Sequence, residues 1–346
     1  MYKSKHPLID WLIENEDIEY NLASSSIPDY RISDICCIEE NQELGHDHEI
    51  EAELIEAISS YYDEEVHPVV TFGAQSANFL ALLTLLDNRS NVIVEDPTYL
   101  PIQKVSEVIG NEVRLLNRRY EDGFGMDLDE LKEKFDENTK AVVLTNPHNP
   151  SGLYNEIEEF KELQQILLEE DAYLIVDEVF RDILYDTDST VSLGENVIST
   201  NSLSKVYGMG GLRIGWTATR DKELAEMMET SKVLSLTPAC PISQKIALCE
   251  LKRKDKIIER SRNIAERGIS IVKDGIEEDD KVEWIEPPGG IISFPRLDIS
   301  SSSKKFAEKA RDRGVLVSPG DYFTRTERYR DHIRLTFGEE PEVIRE

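Results

Sequence analysis

The sequence predicts an α/β protein: a mainly parallel sheet sandwiched by helices, followed by a smaller α+β domain. Three observations carry that reading. Short, nearly continuous apolar runs recur at Val69–Phe72, Val92–Glu95, Ala141–Thr145, Tyr173–Val176, Val197–Thr200 and Ile214–Thr219. Stretches of helical periodicity lie between most of them, at Ala77–Leu86, Leu128–Phe135 and Ile157–Glu169. After about Pro241 the texture changes to a long helical stretch toward Ile276 and then to short mixed elements. Strands without polar alternation are buried on both faces, as in a parallel sheet covered by helices on each side.

The elements follow in order. From about Asn21 to His48 the chain is rich in Ser, Asp and Glu and reads as an arm or loop region. Glu49–Tyr62 places Ile50, Leu54, Ala57, Ile58 and Tyr61 at helical spacing. The strand–helix alternation comes next. The tail holds strand-like runs at Val282–Ile285, Gly290–Pro295, Val315–Ser318 and His332–Phe337, with a helix near Lys304–Arg313. The expected organisation is an N-terminal arm over 1–44 that belongs to the small domain, a large domain over 45–240, and a small C-terminal domain over 241–346.

The 346 residues include 69 acids against 39 bases, a formal net charge of -30. Such a field repels nucleic acid and anionic lipid, so neither is an expected partner. It fits a salty cytoplasm, where screening relieves self-repulsion, and equally an acidic proteome. The four cysteines, Cys36, Cys37, Cys240 and Cys249, have no zinc-site spacing and read as free thiols in a reducing cytoplasm. No metal is expected. The N-terminus has no apolar leader core, and no run reaches 18 apolar residues, so no membrane span is expected.

In an open parallel sheet, ligands bind beyond the carboxyl ends of the strands. Gly73-Ala74-Gln75-Ser76 leads from a strand into a helix, a turn that offers free amides to a phosphate, although many such turns bind nothing. Asp96-Pro97-Thr98-Tyr99 ends on an aromatic suited to stacking on a flat ring or simply to packing at a helix start. Asn146-Pro-His-Asn149-Pro-Ser-Gly152 holds two Asn-Pro pairs within seven residues, an unusual turn in which Asn149 has an amide to offer. Asp177 and Glu178 close a buried strand, where a carboxylate needs a partner such as a ring nitrogen or an arginine. The most informative segment is Asn201-Ser-Leu-Ser-Lys205-Val-Tyr-Gly-Met-Gly-Gly-Leu-Arg213-Ile-Gly-Trp216. Its glycines lack the spacing of a dinucleotide fingerprint. Instead they let a ligand approach Lys205, Ser202 and Arg213. The ordinary alternative for any one lysine is a solvated surface charge.

These motifs, in this order, resemble the class I and II aminotransferases that use pyridoxal 5′-phosphate (PLP), of fold type I. The resemblance runs from about Asn21 to Glu340. It implies a seven-stranded sheet and a homodimer. It implies that Lys205 is the Schiff-base lysine, Asp177 the partner of the ring nitrogen, and Asn149 the donor to the phenolate oxygen. Tyr99 then stacks on the ring, Ala74, Gln75, Ser202 and Arg213 hold the phosphate, and Arg334 clamps the substrate carboxylate. Asn21–Tyr30 resembles the arm lining the substrate pocket, with Ser26 where the family usually has Gly. Phe180 stands in place of the family's Tyr, removing a hydroxyl from the phenolate oxygen. The aromatic that a neighbouring subunit donates in the family has no clear match in this chain; Gly45 or His46 falls nearest.

The resemblance implies transfer of an amino group from an L-amino acid to a 2-oxo acid by ping-pong kinetics, with Lys205 moving the α-proton. An alternative within PLP chemistry is a lyase or a specialised amino-acid-modifying enzyme. Asn-Pro-His-Asn-Pro also occurs in carbon–sulfur lyases, and Asn21–Ser26 resembles arginine-modifying relatives such as capreomycidine synthase. Outside enzymes, a ligand sensor on this fold would need a DNA-binding domain, for which the chain has neither room nor a basic patch. A non-catalytic member would be expected to lose Lys205 or Asp177.

Overall fold

The computed structural model describes residues 6–35, 45, 47–184 and 194–346. Seven strands form the central sheet: β1 (His67–Thr71), β2 (Asn91–Asp96), β3 (Glu112–Asn117), β4 (Thr139–Thr145), β5 (Tyr173–Asp177), β6 (Val197–Ser202) and β7 (Gly215–Thr219). Their order is β1-β7-β6-β5-β4-β2-β3. Only β7 runs against its neighbours; the pairs β6/β5, β5/β4, β4/β2 and β2/β3 are parallel. The expected sheet is therefore present, as is its cover on both faces. Alternate residues of each strand enter two cores. Val142, Leu144, Leu174 and Val176 share one with helices His48–Ser59, Ile157–Glu169, Pro241–Leu251 and Lys254–Glu277. Ala141, Val143, Ile175 and Ile198 share the other with helices Ala74–Leu85, Pro101–Ile109 and Lys222–Ser235.

The sequence reading missed β3 because that strand is the sheet edge. Charged Glu112 and Arg114 interrupt its apolar pattern, which is how natural edges avoid pairing with other chains. Helix Lys222–Ser235 was missed because its apolar residues do not keep to one face: Leu224, Ala225 and Met228 are buried while Met227, Val233 and Leu234 are exposed. The long helical stretch expected after Pro241 is two helices, broken at Lys252 and Arg253.

A third core gathers the C-terminal elements and the N-terminus. Helix Pro7–Glu14 brings Leu8 and Trp11 against Leu316, Val317, Tyr322 and Phe323. Tyr20–Asn21 pairs in parallel with Val315–Leu316, and Ser318–Pro319 and Ile292–Ser293 flank Ile333–Thr336. The arm is thus tied to this C-terminal unit. Helix Pro241–Leu251, by contrast, packs on His48–Ser59 against the main sheet. Among the described residues, no helix is long and apolar enough to cross a membrane. Cys240 and Cys249 are free thiols; Cys36, Cys37 and His46 lie outside the described residues.

Candidate active site

The strands β4, β5 and β6 end side by side, with Thr145 opposite Asp177 and Asp177 opposite Thr200. A cleft opens at these ends. Ala74, Gln75, Tyr99, Asn149, Asp177, Ser202, Lys205 and Arg213 all line it. So do Phe180, which the resemblance places beside the phenolate oxygen, and Ser25, Thr145, Val179 and Ser204, to which the sequence reading gave no role.

The phosphate end begins at Gly73, whose φ of 90° precedes the first helical turn. A side chain there would meet the Arg213 guanidinium at 2.6 Å, so only glycine lets the arginine lie across the turn. Arg213 itself has a left-handed backbone (φ 55°) and donates Nη2 to the Phe72 carbonyl at 2.9 Å. A Cβ on Gly215 would strike Gly73 and the Asn201 carbonyl, so this glycine permits the close approach of β7. The result is a concave corner with an arginine, unpaired first-turn amides and the Ser202 hydroxyl.

Asp177 lies at the floor. Its Oδ2 accepts from Asn78 Nδ2 at 2.7 Å and its Oδ1 from the Val179 N–H at 3.2 Å. The alternative partner considered from sequence, an arginine, belongs instead to Glu178, which faces Arg181 at 3.6 Å. Burial pushes the Asp177 carboxyl up, and the Asn78 hydrogen bond acts against that rise.

A buried chain of polar groups positions Asn149. Glu95 is fully buried and pairs with Arg118 at 2.8 Å. It also accepts from Thr145 N–H at 2.7 Å and Thr145 Oγ–H at 2.6 Å. Since that hydroxyl gives its only proton to Glu95, its lone pair is left to accept from the Asn149 N–H at 2.9 Å. Arg334 Nη1 then donates to Asn149 Oδ1 at 3.1 Å, which turns the Asn149 side-chain N–H groups toward the cleft. His148 braces the same turn. Its Nε2 donates to the Pro97 carbonyl and its Nδ1 accepts from Ser151, and burial lowers its pKa well below the usual histidine value, keeping it neutral.

Arg334 does not line the cleft directly. It is buried behind Asn149, donates Nη2 to the Ala23 carbonyl at 2.8 Å and stacks over Phe323, while its Nε has no partner. Ser26 does not line the cleft either; the arm turns so that its neighbour Ser25 does, accepting from Lys205 Nζ at 3.1 Å. Gly45 is exposed, and a Cβ added to it would meet nothing within 4 Å among the described residues. Phe180 brings a ring without a hydroxyl to the wall.

Burial lowers the Lys205 ammonium to about 8, helped by Arg334 and Arg213 and opposed by Asp177. In the unfolded chain the amine titrates at its ordinary value near 10.5. Between these values the unfolded chain holds a proton that the folded chain has lost. This group's stability penalty is therefore full below about pH 8 and is relieved as pH rises toward about 10.5. Urea unfolding of the cofactor-free protein should show Lys205→Met more stable than the parent at neutral pH, with the gap narrowing across that window. A gap independent of pH would contradict the lowered amine.

The residues fit PLP. A phosphate would meet Arg213 and helix amides, a protonated ring nitrogen would meet Asp177, and an aldehyde would meet a lysine amine that is readily neutral, while the buried Arg334 Nε is left without a partner.

Fold and cleft together define a PLP enzyme of fold type I. The chain belongs to the class I and II aminotransferases, whose sequence model matches residues 40–346. It is 28% identical over 318 residues to an aspartate aminotransferase of Sulfurisphaera tokodaii, covering 86% of this chain and 78% of that protein. It is 26% identical over 344 residues to capreomycidine synthase of Streptomyces vinaceus, covering 94% and 88% respectively. A crystal structure of a PLP-dependent aminotransferase from Streptococcus suis superposes with a TM-score of 0.91 at 27% identity, over 99% of this chain and 95% of that one. The protein is accordingly an aminotransferase that uses PLP to move an amino group from an L-amino acid to a 2-oxo acid.

Proposed function

We propose that Lys205 anchors PLP in this cleft and that the surrounding groups run both halves of a ping-pong transamination. The observation that carries this reading is one cavity that brings together Lys205, Arg213 and Asp177, with Arg334 joined to it through Asn149. Bound PLP supplies an electron sink for the charge that develops at the substrate α-carbon. Arg213, Ser202 and the amides of Ala74 and Gln75 take the phosphate. Tyr99 offers its face to the ring, and Asp177 holds the ring nitrogen protonated. Asn149 donates its side-chain N–H to the phenolate oxygen, a task it does not share with Phe180. Arg334 takes the substrate α-carboxylate. Lys205, once displaced by the substrate, accepts and returns the α-proton; an amine with a pKa of about 8 is partly neutral near physiological pH. Ser25 steers that amine, and Ser26 acts on pocket shape through the arm.

The enzyme is read as a cytoplasmic homodimer, with a large domain over 45–240 and a small one formed by 1–44 and 241–346. Pairing of Tyr20–Asn21 with Val315–Leu316 supports the attachment of the arm. The free thiols of Cys240 and Cys249 suit a reducing compartment. Val233 and Leu234, 76% and 83% exposed on one helix end, suit cover by a second subunit.

A second reading, a specialised amino-acid-modifying reaction, is favoured by the likeness to capreomycidine synthase along 94% of the chain. The test is to add aspartate, aromatic, branched and basic amino acids one at a time to the PLP-loaded enzyme. Conversion of the cofactor to its amine form, reversed by a 2-oxo acid, supports transamination and names the donor. Ammonia or a cyclised product, without that conversion, overturns it in favour of the second reading.

A further inference from the structure

Helix Ala74–Leu85 has a task besides presenting its first amides. Asn78 lies one turn beyond Ala74, so both face the same side. It is completely buried in an apolar stretch, Ala77-Asn78-Phe79-Leu80, where an asparagine disfavours the helix and costs desolvation unless its amide is used. Both ends of that amide are used. Its Nδ2 donates to Asp177 Oδ2 at 2.7 Å, and its Oδ1 accepts from Thr200 Oγ at 2.7 Å. Asp177 and Thr200 are register partners on adjacent strands, so one side chain spans the pair.

We infer that Asn78, locked by Thr200, is a positioning residue that holds Asp177 as an oriented carboxylate for the reaction. The inference rests on the proposed role of Asp177 at the ring nitrogen. A flipped amide would set its carbonyl oxygen against a carboxylate oxygen and leave the Thr200 proton facing an N–H. The orientation is therefore fixed from both sides. The groups facing Asp177 are few. Among the described residues, Lys205 and Tyr99 are the titratable ones coupled to it across the cleft, and the Val179 N–H holds its second oxygen. Among these, Asn78 makes the shorter hydrogen bond, and it opposes the upward push of burial on the carboxyl. A neutral Asp177 could neither attract nor retain a protonated ring nitrogen.

The experiment follows the Asp177 side-chain carboxyl by carbon NMR in the cofactor-free protein, assigned with Asp177→Asn, together with PLP affinity by titration. In Asn78→Leu the Asp177 midpoint should move upward and PLP should bind about tenfold more weakly or worse, the scale of one hydrogen bond to a charged group. Thr200→Val keeps Asn78 but frees its amide, and should move both quantities in the same direction by less. An Asp177 midpoint unchanged in folded Asn78→Leu overturns the inference. Should that variant not fold, an unchanged midpoint in Thr200→Val overturns it instead. If Asp177→Asn binds PLP as tightly as the parent, the ring-nitrogen role fails, a result separate from the titration.

Discussion

Lys205→Ala should lose at least about 10⁴-fold in amino-group transfer, because it removes both the covalent anchor and the group that carries the α-proton. Lys205 is the only lysine among the described residues that line the cleft, so no described neighbour stands ready to substitute. The fold should survive. The loop is held by main-chain contacts that the substitution leaves alone: Lys205 O accepts from the Ile27 N–H at 3.1 Å, and Leu203 N–H donates to Ile214 O at 3.1 Å. Loss of the buried amine also removes a charge that burial disfavours. Turnover with the donor found from the amino-acid panel, beside a circular dichroism spectrum and a melting curve, gives the comparison. Near-parent turnover in a folded variant would remove Lys205 from the chemistry.

The largest effect on stability should come from Glu95. Arg118 is 1% exposed and spends its guanidinium on Glu95, Asn155 and the Phe124 carbonyl. Glu95→Leu strands that cation in a dry site and takes an acceptor from both Thr145 donors. Breaking one side of a buried pair costs about 3–5 kcal/mol. The double variant Glu95→Leu, Arg118→Leu should recover much of this, since replacing both members with apolar groups is often near neutral. Substrate binding should still suffer in the double variant. Thr145 loses the acceptor that fixes its hydroxyl, so the Asn149 turn and its contact with Arg334 loosen. Thermal unfolding of the three proteins decides the matter. Equal melting temperatures for parent and Glu95→Leu would show that Arg118 finds another partner.

Much of this site was legible in the sequence because strand ends advertise themselves. Asp177 directly follows an apolar run, Asn149 and Tyr99 lie in the turns just after theirs, and Lys205 and Arg213 share one glycine-rich loop. Residues that act from helix interiors or through other side chains were not legible in the same way. Asn78 left one signal, an asparagine within an apolar helical face, which periodicity alone treats as an imperfection. Glu95 and Arg118 lie 23 residues apart, and nothing local announces that they meet. Ser25 rather than Ser26 lines the cleft because the direction of an irregular arm depends on its anchors, Leu22 N–H on Leu316 O and Ile27 N–H on Lys205 O. The fold was read well where strands are buried on both faces and missed at the charged edge β3.

The central claim is that Lys205 holds the cofactor. It is tested most directly by loading the protein with PLP, reducing it with borohydride, and mapping the modified peptide by mass spectrometry. The expected result is a single phosphopyridoxyl group on Lys205, absent from Lys205→Ala. A stable adduct on another lysine, or none in a protein that still transfers amino groups, would contradict it.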